Sequence, residues 1–484
     1  MKVYNRFYLV MIILLMIVTI SGCIGNIGQL SGLLSGKSGS TYYVSPEGDN
    51  NNSGNRENPW KTPGYASRQL QPGDTLIILG GEYQIDNQEE NQIKPASGTT
   101  SSWITIKGEA GNKPILMGRD KCPAIIDLSG KSNLRIENLE FTNDEGSVVQ
   151  NAIRVVGGVV QNLIFKDLFI HHIDGNGILM SDAYGIEIIQ SKIEYCGKEA
   201  MVGKNFQGDG WNQVTIRDSQ FAYSGHYPSS KKPSNEHTFD GLRIGSSVGP
   251  IEITNSIFEQ NLGNGLYTRA KVNRIIQCIV DNNNENGIVM GGQDGIVMNT
   301  LIYGVGGKSS KNSTGSGIII DEMAGENATF KIVNVTIDIP TENQGFPLKV
   351  GVSQKPENGE LLFNNNIVVC GAQPVNIGGN ISLKASHNLI YRPDEKIVLR
   401  FGEKEYSIEE LKGAQLIEGF IAEDPLFAAP SRGKNGGGYH IQEKSPARDA
   451  GTSDNAPSVD LDGKTRPQGK GYDLGAYEFE VVIK

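Results

Sequence analysis

The chain has 484 residues, 54 acidic against 44 basic side chains and a formal net charge of −10. That balance disfavours nucleic acid as a partner, since phosphate binding rests on clustered cations, and it fits a soluble extracytoplasmic body. The five cysteines match no zinc spacing.

The chain opens with Lys2 and Arg6, an apolar run over residues 9–20, and Ile20-Ser-Gly-Cys23. A charged start, a short apolar core and small residues read as an export signal over residues 1–22. A cysteine directly after Ser-Gly implies lipidation of Cys23 after cleavage. The alternatives are an ordinary signal with a chance cysteine and an uncleaved anchor. One acyl chain holds weakly, so more than one is expected on Cys23. Cleavage removes two cations and takes the net charge from −10 to −12. Residues 23–40 are Gly- and Ser-rich, as a flexible tether is. No other segment is apolar enough to span a membrane. The expected location is therefore the cell surface, outside the cytoplasm, with the membrane reached through a lipid on Cys23.

Residues 41–74 are expected to cap the start of the fold. Thr62-Pro63 suits a helix cap and first turn, and a short helix there covers an edge that would otherwise invite aggregation. From residue 134 to 390 one short phrase returns ten times. It reads Leu134-Arg-Ile-Glu-Asn138-Leu-Glu-Phe141, then Leu163-Ile-Phe-Lys-Asp167-Leu-Phe-Ile170. Later copies start at Ile186, Val214, Ile251, Asn273, Gly295, Phe330, Leu361 and Leu383. A period of about 20–30 residues means stacked units, and strict apolar alternation makes them strands. Three short strands per turn give an all-β fold, a right-handed parallel β-helix of about ten or more coils over residues 75–396. At about 4.8 Å per coil it is a rod roughly 45 Å long.

The residue at the break of each phrase is Asn138, Asp167, Gln190, Asp218, Asn255, Gln277, Asn299, Asn334, Asn365 and then His387. Asn and Asp tolerate left-handed turn backbone, so a stacked, buried amide ladder is expected there rather than a metal ladder. Cys278 shares the next column with Ser191, Ser219, Ser256 and Thr300 and reads as a buried small residue. Residues 397–484 form a closing cap on the same rod. Ser407-Ile-Glu-Glu410 is a capping box that opens a short helix.

Several motifs carry a resemblance. Tyr43-Val-Ser-Pro-Glu-Gly-Asp49, Asn58-Pro59-Trp60, Gln71-Pro-Gly-Asp-Thr75, Gly80-Gly-Glu-Tyr83 and Ile104-Thr-Ile-Lys-Gly108 stand in the order seen in secreted β-helix proteins. Ser445-Pro-Ala-Arg-Asp-Ala-Gly451, Asp460-Leu-Asp-Gly463 and Asp473-Leu-Gly-Ala-Tyr-Glu478 are similar to a closing module of such proteins. Nearly all of residues 41–480 thus resembles the pectate-lyase-like superfamily, and the first part resembles family-nine pectate lyases. The resemblance implies a polysaccharide partner, with substrate along one strand of each coil, and calcium as the cofactor to test. Asp240-Gly241 matches one half of the family's calcium motif, which makes Asp240 the candidate metal ligand. The next coil, Asn264-Gly265-Leu-Tyr267-Thr, lacks the paired aspartates of the other half.

On the substrate face one outward column reads Arg154, Leu179, Val202, Arg243, Tyr267, Val289 and Ile319. A second reads Val156, Ser181, Lys204, Gly245, Arg269, Gly291, Asp321 and Lys349. Lys204, Arg243, Tyr267 and Arg269 therefore gather on three successive coils. Long loops feed this region and hold His226, Tyr227 and His237, with His171, His172 and Asp174 in a loop nearby; long loops on a rigid scaffold are where binding concentrates. β-Elimination on a uronic-acid glycan needs a cation for the sugar carboxylate, a base for the C5 proton and an acid for the leaving oxygen. Neighbouring cations favour a neutral amine, making Lys204 the candidate base. Arg243 and Arg269 can hold a carboxylate bidentately, and Tyr267, His226 or His237 can supply the acid. Tyr227, Asp174 and Arg154 complete the expected binding surface.

Two other functions fit the same fold. A glycoside hydrolase needs two carboxylates about 5–9.5 Å apart, for which Glu199 with Asp240 is the pair. A non-catalytic, surface-tethered glycan-binding rod accounts for the incomplete calcium motif and for apolar Leu179, Val202, Val289 and Ile319 on the outer column. The chain is expected to act as a monomer.

Overall fold

The computed structural model describes residues 39–480, apart from 205–206, 228–238, 307–313, 324–326, 340, 353–357, 394–396 and 430–437. The expected signal, the tether up to residue 38, Cys23 and His237 lie outside the described residues. Thr41–Lys484 forms one compact unit; of the unit before it only Gly39 and Ser40 are described. No helix among the described residues is long and apolar enough to cross a membrane.

The repeated phrase builds stacked coils. In Leu242–Ser247, Leu242 and Ile244 are fully buried while Arg243 is exposed, as a two-residue side-chain period requires. All ten starting residues, Leu134 through Leu383, stand in one parallel register row. Strands such as Leu134–Asn143 and Val160–Ile173 run through the turn at the break, so two walls form one 23-stranded sheet. A 12-stranded sheet makes the third, front wall, from Ile126–Asp127 to Ile397–Phe401, with Lys404–Ser407 added antiparallel. Parallel strands joined by crossovers wind right-handed, and the molecule is a right-handed parallel β-helix. Pairing begins inside the expected cap, where Thr41–Val44 aligns with Thr75–Ile78. Pro63–Gln69 is the short helix expected there.

The break residues all adopt left-handed backbone, with φ between 47° and 58° from Asn138 to His387. They do not form a buried ladder throughout: only Asn299, Asn334 and Asn365 are buried, and Asn365 donates to Asn334 at 3.3 Å. Asp167, Gln190, Asp218 and Asn255 are exposed, because a side chain on a left-handed corner points away from the interior. The buried ladder lies one residue on. Ser191, Ser219 and Ser256 each accept the backbone N–H of the coil before, at 3.2 Å. Cys278 sits fully buried in that column, its thiol 3.4 Å from the Ile276 carbonyl. Two further columns of amides line the corners: Asn261 donates to Asn283 at 2.8 Å, and Asn286 to Asn264 at 2.8 Å. Each such bond satisfies a buried polar group that would otherwise cost about 1–3 kcal/mol.

The far end divides into two parts. Ile408–Ala414 carries the full Ser407–Glu410 capping box and buries Leu411 in the main core. The segment from 421 to 480 is not an end cap. It runs back along the side of the coils and makes a second core with them, Leu474, Tyr477 and Tyr439 against Leu301, Tyr303 and Ile367. It does so by covering the later part of the left-handed column. Asn334 donates to the Asp473 and Gly475 carbonyls at 3.1 and 3.2 Å, Asn365 to Thr452 at 2.7 Å, and Gln277 to Asp460 at 3.2 Å. The strap covers the corners at Asn299, Asn334 and Asn365, which are buried, whereas Asp167, Gln190, Asp218 and Asn255 are exposed.

At the centre of this strap Arg466 pairs with Glu478 at 2.6 Å, both fully buried as side chains. Burial pushes the nearby Asp473 carboxyl from 3.8 up to about 6. Between those values the folded state holds a proton that the unfolded chain releases. Asp473 therefore adds stability as pH falls from about 6 to about 4, and the gain is lost above about 6. Carbon-13 NMR should follow the Asp473 carboxyl titrating near 6; a midpoint below 4 would contradict this account.

Candidate functional site

From Asn151 to Ser316, the position two residues before the aligned apolar residue of each front-wall strand is polar. The register places Asn176, Glu199 and Asp240 in one column, and Asn264 and Asn286 continue it. Most of the column is neutral amide or hydroxyl. Glu199 and Asp240 instead place two acids at adjacent positions of the column, on backbones one strand spacing apart, about 4.8 Å.

The two acids are held differently. Asp240 is 1% exposed. Its Oδ1 accepts the Asn264 N–H and Nδ2–H, both at 2.8 Å, and its Oδ2 accepts from Arg243 Nη1 at 2.9 Å. Burial raises its carboxyl, while these hydrogen bonds and Arg243 pull it back. Glu199 is partly exposed. Burial raises it too; Lys204 and Arg243 lower it, and Asp240 adds a further upward push. Glu199, Lys204, Asp240 and Arg243 thus form one electrostatic group on two adjacent coils. Lys204 hangs from the end of its strand through its own N–H to the Met180 carbonyl, 3.3 Å.

Tyr267 lies between two guanidinium groups, 4.2 Å from Arg243 and 4.5 Å from Arg269 to the ring centre. Such contacts fix an aromatic ring between cations. Arg269 is not open to a substrate carboxylate as expected. It is 11% exposed, with Nη1 2.7 Å from Asp321 and Nε 2.9 Å from Glu322. These are ion-pair contacts outside good hydrogen-bond alignment. Arg269 orients Tyr267 from below.

The first outward column stands in the expected order from Arg154 to Ile319. Two details of the second differ. Gly245 is the extra residue of a bulge, so Ser246 aligns with Arg269. Lys349 aligns with Ile319 and belongs to the first column. Arg154 is three coils from Arg243 in that column, about 14 Å by strand spacing, and lies 3.9 Å from Asp127; it stands apart from the cluster. Val202 and Val289 are 1% and 5% exposed, so they offer no apolar contact surface.

Calcium does not fit Asp240. The ion takes about six or more oxygens, several anionic. Both oxygens of Asp240 are already hydrogen-bonded, and a guanidinium occupies the position a cation would take. Among the described residues no group of three His, Cys, Asp or Glu could hold a metal ion.

Asp174 and Tyr227 meet at a second cluster. Asn143 Nδ2 donates to Asp174 at 2.8 Å and lies 3.4 Å from the Tyr227 hydroxyl. His171 is in a strand rather than a loop, 3.1 Å from Glu140 and 2.7 Å from His172. His172, Tyr195 and Tyr223 stack on successive coils, with ring centres 5.2 and 4.4 Å apart, and His226 meets Tyr223 edge-on at 5.8 Å. All three stacked residues have φ near 50°. They form a second left-handed column that the sequence reading missed, because its aromatic residues do not look like turn formers. Glu199 was legible only through its place two residues before Met201.

Residues 42–214 match the family described as Pel9A-like, right handed beta helix region. The chain is 26% identical over 250 residues to a lacto-N-biosidase of Bifidobacterium longum subsp. longum, which covers 38% of this chain and 15% of that protein. The chain therefore spans well under a fifth of that relative's length. Among solved structures it is similar to XylC in complex with xylose, with a TM-score of 0.59, 10% identity, and coverage of 91% of this chain and 99% of that one. It is also similar to a PL6 family polysaccharide lyase from Pseudopedobacter saltans, with a TM-score of 0.51, 13% identity, and coverage of 86% and 97%. At such identities the likeness establishes the fold.

Proposed function

We propose that this chain, a right-handed β-helix whose residues 42–214 are similar to the Pel9A-like family, is a surface-tethered enzyme that cleaves extracellular polysaccharide by β-elimination at uronic acid units. The lipid on Cys23 would hold it outside the membrane. The observation that carries the reading is Glu199, a partly exposed carboxyl raised by burial and grouped with Lys204, Asp240 and Arg243. Fold alone would not assign an activity.

In this reading Arg243 meets the sugar carboxylate and acidifies the C5–H bond. Lys204 takes the C5 proton as the C4–C5 double bond forms. The C4–O bond breaks, and Glu199 gives its proton to the departing glycosidic oxygen. Asp240 keeps Arg243 in place. No step passes through calcium.

Hydrolysis is the second reading, favoured by one observation. Glu199 and Asp240 are neighbours in a column, and the strand spacing between their backbones is comparable to the carboxyl separation of retaining glycosidases, about 5–5.5 Å. The named relative is likewise a glycosidase by its description. Against it stands Asp240, whose oxygens are both engaged and which does not face solvent.

The test is to incubate the full-length protein with uronic and neutral glycans, with and without a calcium chelator. The expected result is new ultraviolet absorbance from an unsaturated sugar on a uronic glycan, unchanged by the chelator. Reducing ends without that absorbance would establish hydrolysis instead. Binding without cleavage would leave a glycan-binding rod and sink both enzyme readings.

A further inference from the structure

A groove of about 390 Å³ lies on a different wall from the site above, at the start of the strands that carry the repeated phrase. Trp103, Asn162, Glu187, Gln213 and Glu252 line it. Glu187, Thr215 and Glu252 stand in one register row on three successive coils, so the two carboxylates are two coils apart, about 10 Å. Both are exposed, and neither has an ion-pair partner among the described residues. The Arg135 guanidinium sits 5.1 Å from the indole centre and holds the Trp103 ring. Two residues before Glu187, level with Asn162 and Gln213, Gly185 carries no side chain, and an added Cβ would lie 2.9 Å from Asn162 Oδ1, so glycine keeps the groove open beside that amide.

We propose that this groove binds a neutral sugar chain as a non-catalytic site. An aromatic surface suits the C–H face of a pyranose ring. Free carboxylates accept hydrogen bonds from hydroxyl groups, and the amides of Asn162 and Gln213 can both donate and accept. The same two negative charges repel a uronate, so the groove and the catalytic group select different parts of a polymer. A glycan with both neutral and acidic units would engage both walls. The groove's assignment does not depend on the reaction at Glu199.

Of the three tryptophans, Trp211 is fully buried and Trp60 is 6% exposed, which leaves Trp103 as the partly exposed one. Intrinsic fluorescence therefore reports on this groove. The full-length protein is titrated with xylohexaose, cellohexaose and an N-acetylglucosamine hexamer, with oligogalacturonate as the acidic control. The expected result is a saturable emission change with at least one neutral hexamer and none with oligogalacturonate. Calorimetry on Trp103→Ala should show that binding weakened at least tenfold at an unchanged melting temperature, and Glu187→Gln should weaken it several-fold. Glu199→Gln should bind the hexamer as the parent does, even where cleavage is lost. No saturable binding of any neutral hexamer, parent-like binding by Trp103→Ala, or preference for oligogalacturonate would each overturn the proposal.

Discussion

Glu199→Gln is expected to lower glycan cleavage by roughly 10²–10⁴-fold, the usual range for a lost general acid, with no change in melting temperature. Glutamine keeps the shape and loses the transferable proton. Lys204→Ala should cost a similar factor. Arg243→Ala is a poorer probe, since it leaves the buried Asp240 carboxylate without its cation, and loss of activity would be mixed with loss of stability. Asp240→Asn separates the mechanisms. The next two positions of its column are Asn264 and Asn286, so an amide fits the space. Under elimination this variant loosens Arg243, whose acceptor Oδ2 becomes an amide nitrogen, and slows the reaction in part while acid and base remain; under hydrolysis with Asp240 as nucleophile it loses nearly all. The pH profile gives a further check. Burial raises the Glu199 carboxyl, so the rate should fall with rising pH as that group gives up its proton. Full activity in both Glu199→Gln and Lys204→Ala would remove this site.

Arg466→Ala should produce the largest loss of stability, about 3–5 kcal/mol, the range for removing one partner of a buried ion pair. The guanidinium donates to Glu478 at 2.6 Å, the Gly475 carbonyl at 2.9 Å and Asn299 Oδ1 at 3.2 Å. Its removal leaves Glu478, 1% exposed, charged and unpaired, and cuts a direct link between strap and coils. Urea denaturation measures the loss, and limited proteolysis should show cleavage beginning within residues 421–480. Removing both charges with Arg466→Met and Glu478→Leu should recover much of the stability, because the desolvation cost goes with the pair. A single-variant loss under 1 kcal/mol would show that the strap is not fastened there.

The coils were legible because each repeats the same local conflict, apolar alternation broken by one left-handed residue. That pattern located all ten starting residues and the turn at Asn138 through His387. What the pattern could not carry was contact between distant segments. The strap meets Asn334 from 139 residues away, and nothing in the composition of 421–480 says whether it covers an end or a flank. The candidate site was legible in position but not in pairing. Arg243, Tyr267 and Arg269 follow from register alone, whereas the capture of Arg269 by Asp321 and Glu322 depends on a bulge two strands away, in Ile318–Met323. The calcium expectation failed for a similar reason: the sequence shows Asp240-Gly241 but not the hydrogen bonds that fill both oxygens of Asp240.

The strap also gives the rod unequal ends. In a solenoid each turn leans only on the turns beside it. From the Gln277 corner to the Asn365 corner, successive turns are also stitched sideways to one continuous stretch of chain, which ties them into a single mechanical block. Among the described residues, no such hydrogen bond ties the turns upstream to it. Under tension along its axis the molecule should therefore peel turn by turn from the upstream end, in small steps, and then yield the downstream block in one large step.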